Sequence, residues 1–376
     1  MFKVMSVVGT RPELIKMSRV IAEFDRHTHH ILVHTGQNSD YELNQVFFDE
    51  LEIREPDYML STAGQNAAQT IAQVIMQSDE VLEKEQPDAL LLYGDTNSCM
   101  AVIAAKRRKI PVFHMEAGNR CFDQRVPEEL NRKVIDHLSD INLVLTEHAR
   151  RYLIAEGIRP ETIIKNGSHM PEVLDYYRPK IEASDVLSRL QLEAGKYFLV
   201  SAHREENVDI PANLLDLVET LNALAETYDH PVIVSTHPRS RKRLNALESG
   251  ELDHRVRYVK PFSFCDYIRL QTGALCILSD SGTLTEEAAL LDLPAVAIRN
   301  THELPEGMDA GVTIMSGLKK DSVLNAVRVV TARYRRDAQA TPPVPDYAAG
   351  RASERVLRVV ISYIDYVKRT VWSNST

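Results

Sequence analysis

Cysteine is scarce in this chain of 376 residues, and its four cysteines (residues 99, 121, 265 and 276) form no C-x-x-C pair. A disulfide framework and a thiolate zinc site are therefore not indicated, because both need paired cysteines. No stretch reaches the ~18 consecutive apolar residues of a membrane-spanning helix. The amino terminus also lacks the cleavage pattern of a secretory signal. We therefore expect a cytoplasmic protein with reduced thiols and no membrane partner.

Glycine patterns that bind nucleotide phosphates are also missing. No two of the 15 glycines stand in G-x-G spacing, so the dinucleotide fingerprint G-x-G-x-x-G is absent. The Gly195-Lys196 pair has Leu190 where the first glycine of a P-loop belongs. The histidines at 114, 169 and 203 do not fall at metal-ligand spacings, and no G-x-S-x-G elbow occurs. The sequence therefore predicts no bound cofactor and no metal site, and it does not support P-loop or serine-esterase chemistry.

Basic residues are in the minority. Lysine and arginine total 44 against 53 aspartates and glutamates, so the formal net charge is −9 and the isoelectric point lies near 5.8. A nucleic-acid partner is not expected, because nucleic-acid-binding domains carry basic surfaces. Any anionic ligand must instead bind to a small local set of cations.

The remaining composition is that of a globular protein. Hydrophobic residues make up 44% of the chain, and at roughly 150 residues per domain the length fits two domains. Over about the first 170 residues, short β-branched runs alternate with amphipathic segments, which is typical of a doubly wound α/β domain. The predicted strands are residues 3–8, 30–34, 89–93, 111–115 and 141–145. The predicted helices are residues 13–24, 42–51, 67–82, 97–108 and 128–138.

A break at Asn166-Gly167-Ser168, followed by the stretch from Pro171 to Pro179, precedes a second run of the same alternation. Its predicted strands are residues 197–202, 232–235, 256–259 and 274–278, with a helix at residues 284–291. We therefore predict an α/β protein with two Rossmann-like, doubly wound domains, residues 1–170 and residues 171–352. A final amphipathic helix, residues 353–370, is expected to pack back on the first domain.

Ligands of open parallel sheets bind beyond the carboxyl ends of the strands, so the residues that follow each strand are candidates for a site. After the first strand, Thr10 and Glu13 fit a T-x-x-E capping box at the start of a helix. Arg11 and Lys16 place two cations beside that helix start. This arrangement favours phosphate binding, although a solvated arginine in such a turn is common.

Carboxylates recur at the later strand ends of the first domain. Asp95 follows one strand, Glu116 follows the next, and Glu128 begins a helix beside Glu129. Carboxylates that converge on one site raise one another's pKa, as general acid or base catalysis needs. Each one alone is equally consistent with a helix cap or an ion pair, and it is their recurrence that favours catalysis.

The second domain places polar groups in the same way. His203 follows its first strand, and His237 follows the next one. Ser281 and Gly282 precede a helix whose first turn carries Glu287. Backbone amides at such a helix start can bind a diphosphate, and the acidic residue can accept hydrogen bonds from ribose hydroxyls. Ordinary helix capping is the structural alternative.

Taken in order, these motifs resemble those of the non-hydrolysing UDP-N-acetylglucosamine 2-epimerases. The resemblance covers about residues 3–310, and the ordered set is more specific than any one motif. The motifs are GTRPE at 9–13, GDT at 94–96, HMEAG at 114–118, PEELNR at 127–132, AHREEN at 202–207, THP at 236–238 and SDSG at 279–282.

The resemblance implies a fold of the glycosyltransferase-B type, with two domains facing across a cleft. It implies that the protein inverts C2 of a UDP-2-acetamido sugar by anti elimination of UDP, through a 2-acetamidoglycal, without a cofactor. The residues that match the family's catalytic groups are Asp95, Glu116, Glu128 and His203. Those that match its UDP-binding groups are Arg11, Lys16, His237, Ser281, Gly282 and Glu287. The family also tends to form homodimers.

Three departures from the family's pattern are visible. Leu304 stands where many members have the arginine of T-E-R-P-E, and Gly282-Thr283 replaces Gly-Gly. Gly36-Gln37-Asn38 replaces the G-Q-H of a segment that the family links to a second, allosteric UDP-sugar. Allosteric activation by substrate is therefore not expected.

Other segments resemble one branch of the family. Residues 118–129 and Tyr41-Glu42-Leu43-Asn44 look like the branch that converts UDP-2-acetamido-2,6-dideoxy-L-talose to UDP-N-acetyl-L-fucosamine for capsule or O-antigen. A sugar without a 6-hydroxyl tolerates an apolar wall, for which Phe122 and Val126 are candidates. The expected substrate is thus a UDP-N-acetylhexosamine of the 6-deoxy-L type.

Three other functions stay open at this point. Interconversion of UDP-GlcNAc and UDP-ManNAc uses the same motifs. A UDP-sugar glycosyltransferase shares the same architecture, and a non-catalytic sensor would bind the UDP-sugar without turning it over.

Overall fold

The computed structural model describes residues 1–36, 47–202, 204–208, 210–235, 253–334, 343–348 and 350–373, with the backbone alone at residues 205, 206 and 333. The chain divides into two compact units. Unit 1 comprises Met1–Tyr176 and Asp346–Thr376, and unit 2 comprises Tyr177–Pro345. The sequence placed the boundaries at residues 170 and 352. The first boundary lies instead inside a helix, Met170–Ala183, which offers no loop composition to mark it.

Unit 1 is built on a seven-stranded parallel sheet in the order β3-β2-β1-β4-β5-β6-β7. Its strands are β1 Lys3–Val8, β2 His29–His34, β3 Tyr58–Met59, β4 Ala89–Tyr93, β5 Val112–Ala117, β6 Ile141–Val144 and β7 Ile163–Lys165. Its helices are α1 Arg11–His27, α2 Ala67–Glu85, α3 Ala101–Arg107, α4 Pro127–Leu138 and α5 Glu147–Ala155, and α6 Met170–Ala183 leads into unit 2. Short 3₁₀ helices lie at Asn97–Met100 and Pro160–Thr162.

Strand β1 lies in the interior of this sheet and pairs in parallel with both β2 and β4. The chain therefore winds first to one side of β1 and then to the other, which creates a topological switch point between β1 and β4. The sequence of β1, KVMSVV, is almost wholly apolar because a parallel strand covered on both faces has no solvent-facing side.

Helices α2 and α3 cover one face of the sheet. Their apolar side chains pack on inward-facing strand residues such as Met5, Val7, Leu90 and Leu92. Each Leu or Val buried in this way stabilises the fold by roughly 1.5–3 kcal/mol. This packing fixes the sheet, and with it the loops at its carboxyl edge.

Unit 2 repeats the architecture with a six-stranded parallel sheet in the order β10-β9-β8-β11-β12-β13. Its strands are β8 Phe198–Ser201, β9 Val232–Ser235, β10 Val256–Val259, β11 Cys276–Ser279, β12 Ala295–Ala297 and β13 Ile314–Met315. Its helices are α7 Val186–Arg189, α8 Glu205–Val208, α9 Pro211–Tyr228, α10 Phe264–Gly273, α11 Leu284–Leu291, α12 Pro305–Asp309 and α13 Lys320–Tyr334. The switch point lies between β8 and β11. The prediction of two doubly wound α/β domains is confirmed.

After a 3₁₀ turn at Pro345–Tyr347, the last helix, α14 Ala352–Trp372, belongs to unit 1 and packs on α1. The backbone N–H of Ser353 donates to Glu172 Oε2 at 2.9 Å. Near the other end, Lys368 Nζ lies 2.8 Å from Asp88 Oδ1. Although α14 has 21 residues, no helix in the described part of the chain combines the length and hydropathy needed to cross a membrane.

Candidate active site

The switch point of unit 1 brings candidate site residues to one edge of its sheet. Strand β1 runs into the turn at Gly9–Arg11, and β4 runs into Gly94-Asp95-Thr96. Strand β5, which pairs with β4, carries Glu116 near its carboxyl end. Arg11, Asp95 and Glu116 therefore lie at the edge where parallel sheets bind ligands.

Glu116 forms an ion pair with Lys16. Lys16 Nζ lies 2.9 Å from Glu116 Oε2, and the two side chains are only 7% and 19% exposed. Asn119 Nδ2 donates to the other carboxylate oxygen at 3.4 Å. Burial raises the pKa of Glu116, but the Lys16 charge and the hydrogen bonds from Tyr93 and Lys16 outweigh it, so the pKa lies below its usual value. Glu116 is therefore ionised at neutral pH and can accept a proton.

The backbone of Glu116 is held in an unusual conformation. Its φ is +63°, in the left-handed region that disfavours residues with a Cβ. The register of β5 against β6 shifts between Met115 and Ala117, which marks a bulge at Glu116. Such a conformation costs on the order of 1–3 kcal/mol and re-aims the side chain. The bulge explains how a residue inside a strand comes to pair with Lys16 of α1.

Asp95 is held by Arg132, a residue whose role the sequence did not reveal. Arg132 Nε donates to Asp95 Oδ2 at 2.8 Å, and the arginine side chain is only 6% exposed. Asn131 Nδ2 donates to the Asp95 carbonyl oxygen at 2.9 Å. Both residues come from α4, so this helix fixes the loop after β4.

The adjacent residues Glu128 and Glu129 have different surroundings. Glu129 is fully buried and accepts hydrogen bonds from Arg132 at 2.9 Å and from the backbone N–H groups of Cys121 at 3.0 Å and Phe122 at 3.2 Å. Glu128 is partly exposed in the first turn of α4. Glu129 is therefore a structural residue, because hydrogen bonds occupy its carboxylate. Glu128 is the member of this pair that is accessible to solvent. The Glu129–Arg132 spacing of three residues on a helix was the available sequence signal.

The two predicted cations of unit 1 differ in their contacts. Arg11 is the first residue of α1, and its guanidinium lies 5.2 Å from the centre of the Phe47 ring. Lys16, also predicted to bind the diphosphate, contacts Glu116 and lies 5.6 Å from the centre of the Tyr93 ring. Its nearest anion in this structure is thus a carboxylate of the protein itself.

His169 also lies beside this pair, although the sequence assigned it no role. It is 2% exposed, its ring packs edge-on against Tyr93 with centroids 5.6 Å apart, and its Nε2 accepts from Asn166 Nδ2 at 3.0 Å. Burial and the nearby Lys16 charge lower its pKa to about 3, so the ring is neutral. It follows β7, a strand of three residues that the sequence did not predict. The predicted site histidines His203 and His237 lie outside the described residues.

In unit 2, an arginine and glutamate cluster stands beside Gly282. Arg204 Nη2 lies 3.0 Å from Glu303 Oε1, and Arg299 donates to both oxygens of that carboxylate at 2.8 and 2.7 Å. A Cβ placed on Gly282 would lie 3.4 Å from Glu303 Oε2 and 3.8 Å from Arg204 Nη2. Two guanidiniums therefore contact the Glu303 carboxylate at this edge of unit 2, although Leu304 replaces the expected arginine.

The helix predicted to follow Ser281 and Gly282, at residues 284–291, is found with those bounds. Helix α11 begins at Leu284, and its N-cap residue Thr283 makes no side-chain cap hydrogen bond. Glu287, in the first turn, is 8% exposed and accepts a hydrogen bond from Gln271 Nε2 at 2.6 Å. That bond fixes the orientation of the predicted ribose-binding carboxylate.

No group of three His, Cys, Asp or Glu side chains in the described ranges is arranged to hold a metal ion. The ionisable groups at the edge of unit 1 are instead paired with cations or hydrogen-bond donors of the protein. What this arrangement offers chemically is proton transfer by carboxylates and electrostatic binding of an anion.

Comparisons with known proteins point to one family. The model of the family "UDP-N-acetylglucosamine 2-epimerase" matches residues 22–361. UDP-2,3-diacetamido-2,3-dideoxy-D-glucuronate 2-epimerase of Pseudomonas aeruginosa is 32% identical over 359 residues, which cover 94% of this chain and 98% of the relative.

Similar solved structures point to the same family. A structure of UDP-N-acetylglucosamine 2-epimerase from Rickettsia bellii is 58% identical, with a TM-score of 0.93 and 100% of each chain covered. The crystal structure of Methanocaldococcus jannaschii UDP-GlcNAc 2-epimerase in complex with UDP-GlcNAc and UDP is 30% identical, with a TM-score of 0.88. It covers 96% of this chain and 99% of that one.

Proposed function

The chain belongs to the UDP-N-acetylglucosamine 2-epimerase family and is an isomerase, and from that premise we propose that it inverts C2 of a UDP-2-acetamido sugar without hydrolysing it. The observation that carries this proposal is the buried, ionised Glu116 at the same sheet edge as Asp95. A C2 inversion needs one group to remove a proton and another to deliver one, and this edge supplies carboxylates for both.

The chemistry explains why UDP must leave during the reaction. The C2 proton of an acetamido sugar is not acidified by a neighbouring carbonyl, so simple deprotonation is too slow. A base takes the C2 proton, the C1–O bond to UDP breaks, and a C1=C2 double bond forms, giving a 2-acetamidoglycal and UDP. A proton then reaches C2 from the opposite face, and a UDP oxygen bonds to C1 again. Atoms and charge balance without an oxidant or a metal.

We assign the acid and base roles to the set Asp95, Glu116 and Glu128, and we propose a further catalytic role for His203. Lys16 keeps Glu116 ionised until the proton arrives, because its ammonium is buried with that carboxylate. Arg132 orients Asp95 through a charge-assisted hydrogen bond of 2.8 Å.

UDP binding falls to a separate group of residues. Arg11 supplies a cation at the start of α1 in unit 1. In unit 2 the set includes Ser281 and Gly282, and Gly282 lies near the guanidinium of Arg204, a group that suits a diphosphate. Glu287, oriented by Gln271, accepts hydrogen bonds from ribose hydroxyls, and His237 completes the proposed set. Local cations are needed because the net charge of −9 repels a diphosphate.

For the sugar, we propose UDP-2-acetamido-2,6-dideoxy-L-talose, with UDP-N-acetyl-L-fucosamine as the product. The supporting observation is Phe122, which is 68% exposed and whose backbone is held at φ +56°. Its ring packs edge-on against Tyr152 with centroids 5.2 Å apart. The other candidate for an apolar wall, Val126, is 5% exposed. A role in capsule or O-antigen synthesis would follow from this product.

Interconversion of UDP-GlcNAc and UDP-ManNAc is the second candidate. The 58% identical Rickettsia bellii relative, whose name states UDP-N-acetylglucosamine 2-epimerase, favours it. The two candidates differ at C6, where one sugar has a methyl group and the other a hydroxymethyl group. Phe122 is therefore the residue at which they can be separated.

Replacing Phe122 with Ala is expected to lower kcat/KM for the 6-deoxy-L-talo sugar by about 10-fold or more, because loss of an apolar contact to one methyl group costs roughly 1–3 kcal/mol. Turnover of UDP-GlcNAc should change by less than about 3-fold. Met76→Ala removes an equally exposed apolar side chain from α2 and serves as the control. Equal losses of kcat/KM with both sugars would show that Phe122 does not determine the sugar specificity.

The proposed reaction is tested by an NMR time course in which each UDP-sugar is incubated with the protein and no acceptor. We expect the C2 epimer to accumulate with UDP still attached, and faster from the 6-deoxy-L-talo sugar. Free sugar plus UDP would identify a hydrolysing enzyme. Two unchanged sugars would contradict the proposal in favour of a glycosyltransferase or a binding protein.

A further inference from the structure

Glu13 is buried, and its carboxylate accepts hydrogen bonds from two different loops. The residue is 2% exposed. Its Oε2 accepts from the backbone N–H groups of Gly9 at 2.6 Å and Thr10 at 2.8 Å, both after β1. Its Oε1 accepts from the Thr96 hydroxyl, after β4, at 2.5 Å. A capping box accounts for a bond to the N-cap backbone, but Thr96 is 83 residues away and belongs to no such motif.

The two loops carry residues of the proposed site. Arg11 follows Thr10, and Asp95 precedes Thr96. Strands β1 and β4 are neighbours in the sheet, so one carboxylate can reach both loops. We propose that Glu13 is a positioning residue that fixes the Arg11 loop and the Asp95 loop relative to each other. The inference rests on the proposed function, because it is the proposed roles of these loops that make their alignment matter.

The Thr96 hydroxyl acts both as a hydrogen-bond donor and as an acceptor. It donates to Glu13 and accepts from the backbone N–H of Ser98 at 3.3 Å, as the N-cap of the 3₁₀ helix that follows. A hydroxyl used as donor and acceptor at once has a fixed rotation. Removing it would release the loop from Glu13 and from the 3₁₀ helix together.

A carboxylate suits this position better than its amide counterpart. The described partners of Glu13 are N–H and O–H donors, with no cation among them. A glutamine side chain would turn its own NH₂ group either towards Thr96 or towards the two backbone N–H groups, so one loop would lose its partner. Burial raises the pKa of Glu13 to about 7, whereas the hydrogen bonds from Thr96, Gly9 and Thr10 favour its charged form.

The test compares Thr96→Val, which removes the hydroxyl, with Thr96→Ser, which keeps it. We expect Thr96→Val to lower kcat about 10-fold or more, with UDP affinity within about 2-fold, because misplacing a catalytic group by a fraction of an ångström costs rate. Thr96→Ser should recover most of kcat. The control is Thr28→Val, which also removes a buried hydroxyl bond, to Phe24 O at 2.7 Å, but beyond the far end of α1. A Thr96→Val enzyme as fast as Thr28→Val would overturn the proposal.

A second readout needs no turnover. Hydrogen–deuterium exchange of the peptides covering residues 9–11 and 94–98 should rise in both Glu13→Gln and Thr96→Val, and remain unchanged in Thr28→Val. Unchanged exchange in both loops would refute the positioning role even in an active enzyme. Failure of the proposed function would look different, because the wild-type protein would then epimerise neither sugar while the exchange differences persisted.

Discussion

Glu116→Gln is expected to lower turnover at least ~10²-fold, because it removes the charge that accepts or delivers the C2 proton. Glutamine has nearly the same shape and can still accept a hydrogen bond from Asn119, so packing at the site should change little. The measurement is kcat with the preferred UDP-sugar at saturating concentration. Asp95→Asn should cause a loss of similar size, since it removes the second carboxylate at the same sheet edge.

Loss of stability is the competing explanation for such a result. In Glu116→Gln the Lys16 ammonium remains buried without its partner, and breaking a buried ion pair costs about 3–5 kcal/mol. The double variant Lys16→Met with Glu116→Gln removes both charges and should unfold at nearly the wild-type temperature. If Glu116→Gln itself is folded at the assay temperature and its turnover is still ~10²-fold down, the effect is chemical. Near-normal turnover in Glu116→Gln would refute the assignment, and Glu161→Gln, an exposed glutamate of unit 1, is the matched control.

Arg120→Met is expected to destabilise unit 1 by about 3–5 kcal/mol, the usual result of leaving a buried charge unpaired. The Arg120 and Asp136 side chains are both 0% exposed and lie 2.7 Å apart. Arg120 also donates to Glu156 through two nitrogens, and Asp136 contacts His114 at 2.9 Å. Without Arg120, the fully buried Asp136 carboxylate would lose its arginine partner and keep only the contact with His114 among its ion pairs.

The measurement is urea unfolding followed by the fluorescence of Trp372. This is the one tryptophan of the chain, and it lies in α14 of unit 1, against Lys106. Arg159→Met is the matched control, because Arg159 pairs with Glu161 on the surface with side chains 68% and 50% exposed. That change should leave the urea midpoint close to the wild-type value. An Arg120→Met protein as stable as Arg159→Met would contradict the assigned network.

The strands that the sequence predicted best are those bounded by clear signals. Ala89–Tyr93 came out with the observed bounds because it is an unbroken apolar run followed by glycine, and Lys3–Val8, also followed by glycine, did so although Ser6 interrupts its apolar residues. Ile163–Lys165 and Ala295–Ala297 were missed because strands of three residues carry too little pattern to separate from a loop. The predicted helix at residues 97–108 begins in the structure as a 3₁₀ helix, Asn97–Met100.

The candidate site was predictable in its location and less so in its partnerships. Strand ends and parallel topology placed Asp95 and Glu116 at one edge, because parallel strands end together. Pairings made by the folded chain were not predictable: Lys16 with Glu116 spans 100 residues, and Arg132 with Asp95 spans 37. Nor could the sequence tell which of the adjacent Glu128 and Glu129 is buried, since that depends on how the loop before α4 folds over it.

Solvent deuterium exchange at C2 tests the central proposal most directly. The wild-type enzyme is incubated with a UDP-acetamido sugar in heavy water, and both sugars are recovered with UDP attached. We predict one deuterium at C2 of the epimer formed, because the C2 proton passes through carboxylates that exchange with solvent. An epimer that keeps its original C2 proton, or a sugar unchanged after prolonged incubation, would contradict inversion by proton transfer at the Asp95 and Glu116 edge.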